Sequence, residues 1–115
     1  MIKGLEALTT ECLSAARQYG VEEAVLASLA ASFPSLGWHD KLPHYLISRV
    51  AEHGVRRAEE MAEVVKTLQD VAVAGLMSQA TQQVQAELPA RMAALAIDYR
   101  ELTPFKWQEA LDRLR

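Results

Sequence analysis

Apolar residues recur along this chain at intervals of three and four, and nowhere in strict alternation with polar ones. That period belongs to α-helices burying one face, so the chain reads as helix and turn without a strand. The first stripe, Leu5, Leu8, Cys12, Ala15, Ala16 and Tyr19, is expected to face the core, with Lys3, Glu6, Thr10 and Arg17 on the opposite side. Gly20 ends this helix, because glycine takes the left-handed backbone of a helix terminus without a Cβ penalty. A shorter helix follows from about Glu22 to Ser32, contributing Val25, Leu26 and Leu29. Pro34 and Gly37 then break the pattern.

The third stripe is the longest. Asp40 is placed to cap it and Pro43 lies in its first turn, where a missing N–H costs nothing. Leu46, Ile47, Val50, Gly54, Ala58, Met61, Val65, Leu68 and Ala72 then hold one phase, which passes through Gly54 without a reset. One continuous helix over about 41–74 is expected. Gly54 lies on the stripe itself, where the absence of a side chain lets another backbone approach, at a cost of ~1 kcal/mol relative to alanine. Such a helix is ~50 Å long, whereas a compact chain of this size is roughly 35 Å across. Part of its stripe, around Met61, Val65 and Leu68, is therefore expected to meet a partner or the domain's own core, and a homodimer is expected. A fourth helix is read over 76–88 with Leu76, Met77, Ala80, Val84 and Leu88 inward. Pro89 is read as a break that starts a fifth helix through about Tyr99, and Thr103–Pro104 as the start of a last one offering Phe105, Trp107, Leu111 and Leu114 for burial. The expected fold is all-α: five or six helices around the long one, in a single helical domain spanning 1–115.

Composition narrows the function classes. The 115 residues are 50% hydrophobic and only 6% aromatic, which is globular rather than disordered. A net charge of −3 argues against a nucleic-acid partner, since phosphate binding needs a basic face. No apolar run approaches the ~20 residues that span a bilayer, and the start lacks the order of a signal peptide. A lone Cys12 cannot form an internal disulfide, so a reduced, cytoplasmic setting is expected.

Candidate chemistry gathers on one edge of the long helix, where Arg49, His53, Arg56, Arg57 and Glu60 follow at helical spacing. With Lys3, three of these (His53, Arg56 and Arg57) are candidates for an anion site, because guanidinium forks match carboxylate and phosphate in two-point contact. The competing reading is a solvated ladder of i,i+4 ion pairs, each worth a few tenths of a kcal/mol. His39 and His44 fall on different sides of any helix, so no metal site is expected. No nucleophile motif is present and no catalytic residue is assigned. Phe33, Trp38, Met61 and Met77 are read as core residues.

Two stretches resemble a known family. Glu11–Val21 resembles the first helix of the C-terminal domain in the 6-phosphogluconate and 3-hydroxyacid dehydrogenases. Met1–Leu8, Ser32-Phe33-Pro34, Trp38, Tyr45 and His53–Met61 resemble one branch of that superfamily. In that branch an all-helical C-terminal domain of unknown function follows an NAD(P)-binding Rossmann domain. The likeness covers most of residues 1–85. It implies a dinucleotide bound elsewhere, because this chain has no G-x-G-x-x-G turn. It also implies a catalytic lysine lying just before Met1, and a Lys3 near where relatives contact substrate. Where the 3-hydroxyacid branch carries Lys-Asp, this chain has Glu59-Glu60, a reversal of charge. The first helix starts without a capping residue, so the chain is expected to be a separated C-terminal domain, its Rossmann partner in cis or trans. The resulting expectation is a substrate-side and dimerisation domain of an NAD(P)-dependent hydroxyacid dehydrogenase-like oxidoreductase. Alone it would bind no cofactor and catalyse nothing; a small hydroxy acid is the implied substrate. The alternative is a free-standing helical module that binds a protein or a ligand.

Overall fold

In the computed structural model, which describes residues 1–115, five α-helices and one 3-10 turn follow in the order α1 (Ile2–Tyr19), α2 (Glu22–Ser32), α3 (Leu42–Asp70), α4 (Leu76–Ala94), the turn Tyr99–Leu102, and α5 (Trp107–Arg113). There is no strand, as the periodicity predicts. No helix is long and apolar enough to cross a membrane. α3 and α4 form an antiparallel pair with the most extensive packing in the molecule. α1 lies over both, with α2 beside it and α5 against α3. One apolar cluster draws on every α-helix, with Leu13, Leu26, Ile47, Val50, Leu88 and Trp107 among its members.

Three helices end in the same way. At α1, Gly20 is left-handed (φ 68°), its N–H donates to the Arg17 carbonyl (3.1 Å), and the Val21 N–H reaches back to Ala16 (2.9 Å). This pair of bonds satisfies carbonyls that a helix end otherwise orphans. α3 closes by the same pair, Ala72 to Gln69 (3.0 Å) and Val73 to Leu68 (3.0 Å), with Ala72 at φ 63°. α4 closes through Ala96 at φ 54°. The expected end of the long helix near 74 is therefore corrected to Asp70. An alanine occupies the left-handed position that sequence signals assign to glycine, so the stop carries no local mark.

α3 is unbroken at Gly54, as its phase predicts. The backbone that approaches is α4's: a Cβ built on Gly54 would collide with the Gln85 carbonyl oxygen and sit 2.7 Å from Pro89 Cγ. This contact also explains why the expected break at Pro89 does not occur and α4 runs through it to Ala94. Proline removes one intrahelical donor and its ring crowds the carbonyl four residues back, here Gln85. That carbonyl lies against the one position on α3 that has no side chain. The helix expected over 89–99 is replaced by the end of α4 and the 3-10 turn, which Asp98 and Glu101 cap reciprocally (Arg100 N to Asp98 Oδ1 2.9 Å, Asp98 N to Glu101 Oε2 2.7 Å). The last helix starts at Trp107 rather than Pro104. His44 Nδ1 of α3 accepts the Trp107 N–H at 3.2 Å, supplying the cap that no local side chain provides.

The largest correction concerns α1, whose apolar stripe faces outward. Leu5, Leu8, Cys12, Ala15 and Tyr19 are exposed, whereas Glu6, Ala7, Thr9, Thr10, Leu13 and Ala16 are buried. Phe33, Leu36, Leu76 and Met77 are exposed as well, so Phe33 and Met77 are not core residues; Trp38 and Met61 are. On α4 the inward positions are Thr81, Gln85, Leu88 and Met92. Arg17, expected on the solvent side, grips Asp112 of α5 through two bonds (3.2 and 3.0 Å) and also pairs with Glu22. Arg17 holds the Asp112 carboxyl below the ordinary carboxylate range. Glu22 is held low first by its own backbone N–H and then by Arg17.

Candidate functional site

Lys3, Arg56 and Arg57 come together where α1 crosses α3. The two helices run antiparallel there, so Lys3 and Glu6, one turn apart, face Glu60 and Arg57, also one turn apart. Lys3 Nζ lies 2.9 Å from Glu60 Oε2 and Arg56 Nε 3.6 Å from Glu60 Oε1. Arg57 Nη1 lies 3.3 Å from Oε1 of Glu6, which is only 1% exposed. Gln85 of α4 completes the group, its Nε2 donating both to Glu6 Oε1 (3.1 Å) and to the Lys3 carbonyl (3.0 Å). His53 stands apart: its Nε2 is 3.4 Å from Glu52 Oε2, a carboxylate also held by Arg49 at 2.8 Å. Arg49 in turn lies over the Tyr45 ring. The structure thus gathers three of the four candidate side chains and puts the fourth in a neighbouring pair.

The cluster is layered from inside to outside. Glu6, Gln85 and most of Arg57 are covered, and Arg57 Nε and Gln85 Oε1 have no hydrogen-bond partner. Lys3, Arg56 and Glu60 form the accessible rim. The Lys3 ammonium is the main cause holding the Glu60 carboxyl below its ordinary value, with the charges of Arg56 and Arg57 adding to it. Three cations and two carboxylates leave one net positive charge. Glu60 is thus the carboxylate that Lys3 and Arg56 already share, and the Arg56 side chain, 63% exposed, is open to solvent beside it. Sequence reasoning missed Glu6 and Gln85 because each is a polar residue on a face assigned to solvent. Their only signal is the position of Glu6 opposite the apolar stripe, one turn from Lys3.

Elsewhere, a groove of about 410 Å³ lies between α1, α2 and the following loop, lined by Leu5, Leu8, Cys12, Leu29, Phe33 and Trp38 among others, with Thr9 the sole polar residue. A second groove follows the α1–α4 seam, where Leu8 again forms part of the wall. No group of three or more His, Cys, Asp or Glu side chains is arranged to hold a metal ion. The chain also has no strand followed by a glycine-rich turn, the element that cradles a pyrophosphate at a helix N-terminus.

Residues 16–88 match the family model described as "Domain of unknown function (DUF1932)", and the chain belongs to this family, the C-terminal helical domain of 3-hydroxyacid dehydrogenase-like proteins. Among solved structures, a conserved hypothetical protein from Sinorhizobium meliloti 1021 is similar at 35% sequence identity with a TM-score of 0.83. The likeness covers 100% of this chain and 38% of that one, so the chain spans well under half of the longer protein. Comparison with curated proteins gives no match.

Proposed function

From membership of that family we propose that this chain is the substrate-side and dimerisation domain of an NAD(P)-dependent hydroxyacid dehydrogenase-like oxidoreductase. In this reading the dinucleotide and the catalytic lysine belong to a Rossmann partner, and the 115 residues alone bind no cofactor and turn over no substrate. The observation that carries the reading is the likeness over the entire chain to a little over a third of a longer protein. The Lys3–Arg56–Glu60 rim supports it: it is accessible, cationic on balance and ready to exchange a carboxylate. The expected ligand is the carboxylate of a small hydroxy acid, received by Lys3 and Arg56 as Glu60 swings away. Arg57 backs the site through its charge and holds Glu6 in place.

The test is the melting temperature with and without millimolar phosphate or a hydroxy acid, in the native chain, Glu60→Gln and Lys3→Ala. Glu60→Gln removes the competing carboxylate and should enlarge the ligand-induced rise. Lys3→Ala should reduce it, by the ~1.5–3 kcal/mol of a charged hydrogen bond at most. Equal shifts in all three proteins would leave a ladder of surface ion pairs and no site. Saturable heat on calorimetric titration with NAD or NADP would overturn the division of labour between domains.

A further inference from the structure

We propose that Glu60 decides which anions the Lys3–Arg56 rim admits: it confines the site to ligands with one negative charge and turns away those that carry a second. This rests on the substrate-side reading above and narrows the ligand from hydroxy acids in general to hydroxy monocarboxylates.

Charge is the first argument. Arg57 already faces the buried Glu6 carboxylate at 3.3 Å, so its guanidinium is matched within the chain. The rim that remains has two cations, Lys3 and Arg56, and one carboxylate, Glu60, at 2.9 and 3.6 Å from them. One positive charge is left over, which a single carboxylate neutralises. Glu60 keeps its own charge at neutral pH, because the Lys3 ammonium above all holds its carboxyl below the ordinary range. Arg49, the next cation along α3, is engaged with Glu52 at 2.8 Å. A second negative charge on the ligand therefore meets no unmatched cation.

Place is the second argument. Glu60 can rotate away from Lys3 and Arg56, but two methylenes tether its carboxylate to α3, one turn from Arg56 on the same helix. Neighbours at that spacing are about 6 Å apart, inside the ~8 Å screening length of physiological salt. A like charge at such a distance near a protein surface raises a dissociation constant on the order of tenfold. The surroundings add to the effect. Glu59 and Glu63 are half-buried or exposed within a turn of Glu60, and only Glu63 is paired, with Lys66 at 3.3 Å. Behind the rim the way is closed by Glu6 and Gln85, which are 1% and 0% exposed. The second carboxylate of a small ligand thus stays on the outer surface, beside these acids.

Melting temperatures of the native chain, Glu60→Gln and Glu59→Gln, titrated with 3-hydroxybutyrate or with malate at equal ionic strength and neutral pH, test this. The two probes are hydroxy acids with one and two carboxylates, and the rise in melting temperature reports each dissociation constant. The Glu60 side chain is 45% exposed and glutamine has its shape, so the variant should fold, which circular dichroism checks. The native chain should bind 3-hydroxybutyrate about tenfold more tightly than malate. Glu60→Gln should abolish or reverse that preference, with malate gaining the more. Glu59→Gln removes an equal charge that pairs with neither Lys3 nor Arg56, and should keep the native preference. Equal binding of both acids by the native chain, or a preference unchanged in Glu60→Gln, would overturn the role of Glu60 and leave the anion site standing. No response to either acid in any of the three proteins would overturn the site itself, and this role with it.

Discussion

Substituting Gly54 with alanine should have an effect opposite in sign to that in an isolated helix. In a solvated helix interior, alanine is better than glycine by ~1 kcal/mol. Here the new methyl would sit 2.7 Å from Pro89 Cγ and closer still to the Gln85 carbonyl oxygen. The carbonyl belongs to the backbone of α4 and cannot rotate away. α3 and α4 would have to separate by on the order of 1 Å to restore contact distance, along the most extensive interface in the molecule. Overpacking of a core contact costs typically 1–3 kcal/mol and occasionally more. With a rigid neighbour the upper end applies, so the net loss after the propensity gain is about 2 kcal/mol. For a domain of this size that corresponds to a fall in Tm of roughly 6–12 °C. Urea unfolding followed by circular dichroism at 222 nm would show the midpoint drop with an unchanged slope. Pro89→Ala in the same background removes the ring contact and leaves the carbonyl contact, so it should recover part of the loss and not all of it. A Gly54→Ala protein as stable as the native one would refute the claim that the two backbones touch at this crossing.

Other substitutions test the buried charges and the helix ends. Arg57→Ala strips Glu6 of its ionic partner in a site with 1% exposure and should cost ~3–5 kcal/mol; Glu6→Leu combined with Arg57→Met should cost markedly less by urea midpoint, and equal losses would mean that the pair is not what matters. Ala72→Gly and Ala96→Gly relieve left-handed alanines; the ~1–2 kcal/mol released exceeds the ~0.4–1 kcal/mol returned to the unfolded chain, so each should raise Tm, and a fall in both would contradict the helix-end geometry. Glu22, Glu60, Asp98 and Asp112 have carboxyls held below their ordinary values of 4.5 and 3.8. Their contribution is therefore complete above the unfolded-state values and is lost as pH falls through the folded ones. The urea midpoint should be level from pH 7 to about 5 and decline below about 4.5, less steeply in Arg17→Met, which removes the main hold on Asp112 and the second on Glu22; an identical acid slope in that variant would exclude Arg17 as the cause.

The helical class, the stop at Gly20 and the unbroken run through Gly54 were legible in the residues because each is a local matter. A period of 3.6, a left-handed glycine and an N1 proline act over a single turn or two. Of the candidate site, the gathering of Arg56 and Arg57 follows from adjacency on one helix, but their meeting with Lys3 needed α1 to be laid antiparallel across α3. The covered members, Glu6 and Gln85, were illegible, since their burial depends on partners 51 and 79 residues away.

The same distinction separates the two kinds of result throughout. Periodicity identifies a stripe on α1, but a stripe can turn to either side of a small bundle. The tertiary structure turned it outward because Glu6 found Arg57 and Gln85, Arg17 found Asp112, and the small residues Ala7 and Ala16 allowed close packing on that face. Proline at 89 signals a break to any local reading, and only the vacancy at Gly54 on a neighbouring helix lets α4 continue. The left-handed alanines at 72 and 96 have no local signature, and two backbone hydrogen bonds hold each of them. What the chain determined alone was its helical content and most of its punctuation, which depend on neighbours within a few residues. Which faces are covered, and which apolar residues of α1 stay exposed, was decided by side chains that meet only once the helices have packed.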